Sequence, residues 1–236
     1  MKIRGERECK QCGTQWSYYE TGGVECPSCG SLESVGVSEA KQHTATPDAL
    51  NLTEARDLAS RDDLRAAART AKDACRRYVH RYGFISGGDL IELSPTYLAA
   101  VELRHVADIV GRAMSLTDPE EFYFVSLLRG ADTGERPDPS DVPASLADAR
   151  GLAYAEAVMA YRRDLDTYLD DHPDQPARQV LASLTEHVKR VRALEGDIEP
   201  TEAERLVSIA QELGTYLRDG DESALATAQS RLASIE

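Results

Sequence analysis

The chain has 236 residues and a formal net charge of −14, with 29% charged and 42% hydrophobic residues. This length allows one large domain or two smaller ones, and the composition is typical of a globular protein rather than a disordered one. No run of 18 apolar residues occurs and the first residues are charged. We therefore expect a cytoplasmic protein with neither a membrane span nor a secretory signal.

The charged residues are biased toward acids and arginine. Asp and Glu number 41, and the 27 basic residues comprise 22 arginines and only five lysines. This bias suits a halophilic protein in a salty cytoplasm, and the alternative is an ordinary acidic cytosolic protein. In both cases a protein with this much net negative charge repels nucleic acid, unless the local charge of one face is different.

The first predicted unit covers residues 1–36. It is nearly neutral, with four basic and five acidic side chains, and it contains four of the five cysteines. Short β-type stretches occur around residues 16–19 and Val24. The polar residues 37–49, which include Pro47, are typical of a linker.

Residues 50–236 have an almost uninterrupted helical pattern. Apolar residues recur at three- and four-residue spacing, which predicts six or seven antiparallel helices in a bundle. Ser94-Pro95 opens one helix, and capping boxes are predicted at Thr117 to Glu120 and at Thr201 to Glu204. Residues 130–143 are rich in Pro, Gly and Asp, so we expect neither helix nor strand there, and the bundle has a candidate subdivision at this loop.

Two C-x-x-C-G turns, Cys9 to Gly13 and Cys26 to Gly30, are the strongest signal in the chain. Each glycine permits the positive φ needed after the second cysteine. Four thiolates at about 2.3 Å in tetrahedral geometry would close a structural zinc site with no open position. Zinc binding contributes about 10–16 kcal/mol to units too small for a hydrophobic core.

We therefore predict one structural zinc ion bound by Cys9, Cys12, Cys26 and Cys29. A cytosolic location argues against disulfides between these cysteines. Four thiolates do not by themselves distinguish zinc from a single iron, which remains the alternative.

The segment from Cys9 to Ser31 resembles the four-cysteine zinc ribbons of transcription factor B, RNA polymerase subunits and small regulatory proteins. The resemblance covers about a tenth of the chain and implies the same four ligands. The Cys-Pro-x-Cys-Gly-Ser turn is second here but first in the transcription factor B ribbon, and nothing after residue 50 resembles the cyclin-like repeats of that factor. A basal initiation factor is therefore not expected.

The whole chain loosely resembles uncharacterised acidic zinc-ribbon proteins of the haloarchaeal type, which implies an archaeal source but no activity. Together these features predict a fold class of a small β zinc ribbon followed by an all-α helical bundle.

Trp16, Tyr18 and Tyr19 are the candidate partner-binding residues. We expect all three on one strand, with Trp16 and Tyr18 on the same side. An exposed ring there would stack on a base or enter a pocket of a protein partner. The alternative is that these rings pack over the cysteine turns or against the helices.

The remaining signals are weaker. Lys2, Arg4, Arg7 and Lys10 are interleaved with acids, so any contact of the ribbon with nucleic acid should be weak. Glu102 and His105 have the spacing of a di-iron motif but lack the second pair such sites need. No nucleophile, phosphate-loop or metalloprotease motif occurs, so no enzyme is predicted.

The predicted function is that of a zinc-binding, non-enzymatic adaptor whose ribbon docks on a protein or nucleoprotein complex, with a transcription-related role suggested by the ribbon resemblance. The first alternative is direct nucleic-acid binding, and the second is a helical-bundle enzyme with a site near His105 or residues 130–143. The sequence does not determine the oligomeric state.

Overall fold

The protein consists of a small β-rich N-terminal unit and a bundle of helices, in a computed structural model that describes residues 1–235. The expected combination of a small β-containing N-terminal unit and a mostly helical remainder is confirmed. The bundle is not all-α as expected, because residues 85–90 form a two-stranded hairpin whose turn uses the positive φ of Gly87 and Gly88, and residues 50–235 contain eight α-helices rather than six or seven. The described strands are β1 (Lys2–Ile3), β2 (Glu6–Cys9), β3 (Gln15–Ser17), β4 (Ser34–Gly36), β5 (Lys41–Gln42), β6 (Ile85–Ser86) and β7 (Asp89–Leu90). The described helices are α1 (Tyr18–Thr21), α2 (Thr53–Ala59), α3 (Leu64–Arg81), α4 (Pro95–Arg112), α5 (Asp118–Gly130), α6 (Ala147–Asp171), α7 (Gln175–Ala193), α8 (Pro200–Asp219) and α9 (Glu222–Ala233).

The N-terminal unit is built on a three-stranded antiparallel sheet with β2 in the centre. Arg7 of β2 lies opposite Trp16 of β3 on one side and opposite Gly36 of β4 on the other. The strand order β3-β2-β4 places the ends of both cysteine turns at one end of the sheet.

The strand that carries Trp16 ends at Ser17, so the expectation that Tyr18 and Tyr19 continue it is wrong. These tyrosines open the single-turn helix α1. Gly22 adopts φ 65°, and its N–H donates to Tyr18 O at 2.8 Å, which closes the turn. A glycine provides this left-handed conformation without steric strain.

The segment from residue 37 to 49 is hydrogen-bonded to both parts of the chain. Its strand β5 pairs with β1. The N–H groups of Thr44 and Ala45 both donate to Ile85 O, at 2.8 and 2.9 Å. His43 is buried, and burial lowers its pKa, with a further contribution from the N-terminal amine.

The helices pack around a single apolar cluster that extends from Leu50 to Ile235. Buried residues on both sides of residues 130–143 belong to it. The segment 130–143 contains short 3-10 helices at residues 131–133 and 139–141. The expectation that this segment has no helix is therefore wrong. Such turns need only local i to i+3 hydrogen bonds, which Pro and Gly allow.

Local capping signals define some helix starts but not all. Ser94 accepts from the N–H of Tyr97, and the Thr117 N–H donates to Glu120 Oε2 at 2.8 Å, so both predicted starts are confirmed. The capping box at Thr201 is wrong, because α8 begins at Pro200 and Glu204 turns into the protein interior.

Gly151 of α6 lies against the end of α7 at very short range. A Cβ on Gly151 would be 2.2 Å from the carbonyl oxygen of Gly196, which is backbone and cannot move aside. We predict that Gly151→Ala lowers the free energy of unfolding by about 1–3 kcal/mol through this overlap. Denaturant unfolding of the full chain measures the change.

Gly111→Ala is the matched control for that measurement. Gly111 is also helical, but an added Cβ would meet no side chain closer than 3.8 Å. This variant should be neutral or more stable by about 0.4–1 kcal/mol, because alanine restricts the unfolded chain. Equal destabilisation by both substitutions would contradict the steric explanation.

Candidate metal centre

The two cysteine turns have the same backbone structure. In the first, the Cys9 N–H donates to Thr14 O and the Gly13 N–H donates to Cys9 O. In the second, Cys26 and Gly30 make the equivalent bonds, the Cys26 N–H to Ser31 O. Gly13 and Gly30 have φ values of 74° and 72°, as the sequence predicts for the residue after each second cysteine.

These matched turns bring the four sulfur atoms together. All four lie within 4.8 Å of one another. Sγ of Cys9 is 3.6 Å from Sγ of Cys29, and Sγ of Cys12 is 3.6 Å from Sγ of Cys26. The first cysteine of each turn is buried and the second is exposed. The cluster can hold a metal ion at the edge of the unit.

Hydrogen bonds within the first turn favour the thiolate form. The N–H groups of Cys12 and Gln11 hold the pKa of Cys9 below its usual value. The Thr14 hydroxyl, 3.2 Å from Sγ of Cys12, lowers the pKa of Cys12 to about 6, helped by the Thr14 N–H. Thiolates are the form in which cysteine binds metal.

Side-chain hydrogen bonds among the cysteines have the opposite effect on Cys29 in the second turn. The Ser31 N–H favours the Cys29 thiolate, but the neighbouring cysteines and burial outweigh it and raise the pKa of Cys29 to about 12. A cation among the sulfurs would reverse this effect, because its charge stabilises the thiolates it binds.

The donor set and its spacing fit a tetrahedral metal ion. Bonds of about 2.3 Å at tetrahedral angles separate the sulfurs by about 3.8 Å, close to the 3.6 Å of the two measured pairs. All four donors are sulfur, which suits zinc and a single iron.

Trp16 packs on the inner side of the cysteine cluster. With Cys9 and Cys26 it forms the whole buried apolar cluster of this unit. Its side chain is 7% exposed, and its indole N–H donates to Gly23 O at 3.1 Å. The ring therefore packs against the cysteine turns, as in the alternative considered from the sequence, and is not an exposed ring available to a partner.

Tyr18 and Tyr19 lie where the N-terminal unit meets the bundle. Their rings contact His43, at centroid distances of 5.9 and 5.0 Å. The Tyr19 hydroxyl donates to Ile3 O at 2.9 Å and accepts from the Gly5 N–H. Tyr18 is partly exposed and lines a surface cleft of about 440 Å³. A role of these residues in partner binding stays a prediction.

The basic residues near the first turn are partly engaged within the protein. Lys2 forms an ion pair of 3.0 Å with Asp171 of α6, and Arg7 donates to Ser34 Oγ at 3.0 Å. Arg4 and Lys10 are the members of the cluster that have no ion pair and no side-chain hydrogen bond among residues 1–235.

Glu102 and His105, paired by sequence spacing, make separate contacts. His105 Nε2 is 3.0 Å from Glu156 Oε2, and Arg104 pairs with the same carboxylate. Burial opposes ionisation of Glu156, but His105 and Arg104 hold its pKa below the usual value. Glu102 instead is fully buried and faces a different set of partners.

A buried network of charged and phenolic groups surrounds Glu102. Its carboxylate accepts from the hydroxyls of Tyr123 and Tyr154, and it lies 3.7 Å from Arg150, which is 1% exposed. Arg150 also pairs with Glu204. Burial is the main cause that raises the pKa of both tyrosines, and the nearby Glu102 raises it further, so both hydroxyls remain protonated donors.

Arg136 completes this network from the loop between α5 and α6. It donates to the Tyr154 hydroxyl and lies 3.5 Å from Glu204 Oε1. Two arginines thus balance two glutamates. Sequence reasoning missed the network because Glu204 has the spacing of a helix cap and Arg150 stands in a helix with no distinguishing motif around it.

The comparisons with known proteins give a family but no activity. The model described as "Family of unknown function (DUF7117)" matches residues 1–232, so the chain belongs to that family. No curated protein and no solved structure matches it. None of the helices in the described chain is both long and apolar enough to cross a membrane.

The buried network gives a stability prediction. Glu102→Ala should lower the free energy of unfolding by about 3–5 kcal/mol, because it leaves Arg150 buried without one of its two counter-charges. The measurement is denaturant unfolding, followed by the helical circular dichroism signal.

Glu186→Gln is the control, since Glu186 forms an exposed pair with Lys189 three residues later. Its loss should change the free energy of unfolding by less than about 1 kcal/mol. A Glu102 variant as stable as this control would show that the network adds nothing to the bundle.

Proposed function

We propose that Cys9, Cys12, Cys26 and Cys29 hold one structural zinc ion, and that the protein is a non-enzymatic adaptor whose N-terminal unit docks on a protein or nucleoprotein complex. The observation that supports this proposal most directly is the compact set of four sulfurs, which could supply all the ligands of a tetrahedral metal ion. Zinc is preferred to iron because closed four-cysteine sites of this kind are typical of structural zinc.

The size of the unit supports a structural role for the metal. Its buried apolar cluster consists of Cys9, Trp16 and Cys26. A cluster this small cannot offset the conformational entropy of ordering about 36 residues, whereas zinc binding contributes about 10–16 kcal/mol in comparable peptides. The metal would therefore fold the unit rather than carry out a reaction.

The surface of the unit supports docking. Among residues 1–235, five of the eight exposed large hydrophobic side chains lie within the first 37 residues: Met1, Val24, Leu32, Val35 and Val37. Val35 stands on β4, an edge strand of the sheet. Concentrated exposed apolar residues next to an unpaired edge are a common feature of protein interaction sites.

A cleft beside this surface adds a recess for a partner side chain. Its lining includes Ile3, Tyr18 and Val24 together with Arg4 and Arg7. Tyr18 is thus the predicted partner-binding aromatic that is best placed for contact. The ribbon resemblance makes transcription complexes the first place to look for the partner, and the helical bundle would supply a second interaction surface.

The metal prediction uses elemental analysis of the purified full chain. We expect one zinc per chain, and loss of that zinc in Cys26→Ser. Trp16 is the only tryptophan and contacts Cys9 and Cys26, so its fluorescence should shift toward that of an exposed indole in the variant or after chelation.

Cys75→Ala is the matched control. Cys75 is buried in the bundle, and burial raises its pKa to about 12, so removing it should leave the zinc content unchanged. Purified protein with iron in place of zinc would contradict the zinc assignment, and protein without stoichiometric metal would contradict the whole metal proposal.

The docking prediction compares two exposed apolar residues. Leu32 is 71% exposed on the N-terminal unit and Met114 is 94% exposed after α4. In affinity capture from the native cytoplasm at its own ionic strength, Leu32→Asp and Cys26→Ser should lose a protein partner that Met114→Asp retains. Equal capture by all three variants would contradict docking through the unit, and capture of nucleic acid alone, released by salt, would favour direct binding.

A further inference from the structure

We propose that an arginine-lined cleft on the bundle binds a small molecule through its phosphate group. The cleft has a volume of about 800 Å³ and lies between α3, α4 and α6, far in sequence from the cysteine turns. Clefts of about 300–1,000 Å³ are typical of small-molecule sites. The site is independent of the proposed adaptor function.

The first argument is the unusual charge of α3. This helix carries six basic side chains and one acidic side chain in a protein with a net charge of −14. Its buried face is mainly alanine, including Ala67, Ala71 and Ala74. All of the charge therefore lies on the outer face, and Arg76 and Arg77 are exposed where that face borders the cleft.

The second argument is that two of the three carboxylates of the cleft already have hydrogen-bond or ion-pair partners, while several arginines have none. Glu156 binds Arg104 and His105, and Asp164 accepts from the Thr44 hydroxyl at 2.7 Å and from the Phe84 N–H at 2.6 Å. Arg81 pairs with Asp48 outside the cleft.

Three arginines of the cleft remain unpaired within residues 1–235. They are Arg76 and Arg77 on the α3 wall and Arg163 on the α6 wall, and Asp73 is the one unpaired carboxylate beside them. Asp164 is hydrogen-bonded only to neutral groups, so its charge also counts, and three guanidinium groups face two carboxylates with a surplus of one positive charge. A phosphomonoester carries −1.5 to −2 and would neutralise that surplus.

The chemistry of guanidinium favours phosphate in particular. Its planar fork of N–H donors binds two phosphate oxygens at once, which a lysine ammonium does not do. Arginines from both α3 and α6 line this one cleft. Inorganic phosphate would leave most of the volume unfilled, so the ligand has an organic part, and Tyr82 offers a partly exposed ring for it.

The test is isothermal titration of the full chain at about 0.15 M salt with two matched pairs of probes. These are adenosine 5′-monophosphate with adenosine, and ribose 5-phosphate with ribose. We expect binding by a phosphorylated probe and at least tenfold weaker or no binding by its unphosphorylated partner. Equal behaviour within both pairs would overturn the proposal.

The variants test whether the phosphate binds at this cleft. Arg76→Gln with Arg77→Gln, and separately Arg163→Gln, should each weaken binding of the phosphorylated probe about tenfold or more, since each removes charge-assisted hydrogen bonds to the phosphate. All three residues are exposed, and circular dichroism would check that the variants stay folded.

Charge-matched controls distinguish binding at the arginine-lined cleft from non-specific electrostatic attraction of the phosphate. Arg61 and Arg205 are exposed and lie outside the cleft. The double variant Arg61→Gln with Arg205→Gln should bind as the wild type does. If this double variant weakened binding as much as the cleft variants do, the proposal would be overturned. An oligothymidylate of about 12 nucleotides is a further probe. If it bound more tightly than the small phosphates and required Arg76 and Arg77, the ligand would be single-stranded nucleic acid and the proposal would also be overturned.

Discussion

Arg150 imposes the strongest constraint on the bundle, because a guanidinium that is 1% exposed must be balanced where it lies. The partners come from different elements: Glu102 from α4, Tyr123 from α5 and Glu204 from α8. A shift of any of these helices by one turn would remove a partner and leave a buried charge unpaired, at a cost of several kcal/mol. The network therefore specifies how four helices are arranged, beyond what apolar packing requires.

The N-terminal unit depends on a different interaction. Its few buried residues are centred on the sulfurs, and the two turns place those sulfurs by the same backbone hydrogen bonds. The hydrogen bonds to Cys12 favour a thiolate, whereas the crowding of sulfurs around Cys29 opposes one. A metal ion would resolve this conflict and hold the unit together, which leaves its outer aliphatic surface free to meet a partner.

The two proposed sites lie on surfaces of different chemistry, one aliphatic and one rich in arginine. The exposed aliphatic residues are concentrated in the nearly neutral N-terminal unit, and three arginines without a partner within residues 1–235 border the cleft between α3 and α6. The net charge of −14 disfavours non-specific binding of anions elsewhere on the protein. A protein partner and a phosphorylated ligand would therefore meet different faces of the same chain.

The sequence by itself determined features that depend on neighbouring residues. Two cysteines and a glycine in each turn dictate a local backbone, so the four-sulfur cluster was predictable, and Ser94 and Glu120 satisfy N–H groups within three residues. The apolar stripes predicted the helices for the same reason, because their spacing is a local property.

Only the tertiary structure decided what distant residues do to one another. Thr117 to Glu120 and Thr201 to Glu204 have the same spacing, yet Glu120 caps its helix and Glu204 turns inward. The difference arises because Arg150, 54 residues away in sequence, is buried beside Glu204 and requires a counter-charge. The arginine cleft likewise exists because three helices meet, and no spacing within one helix encodes that meeting.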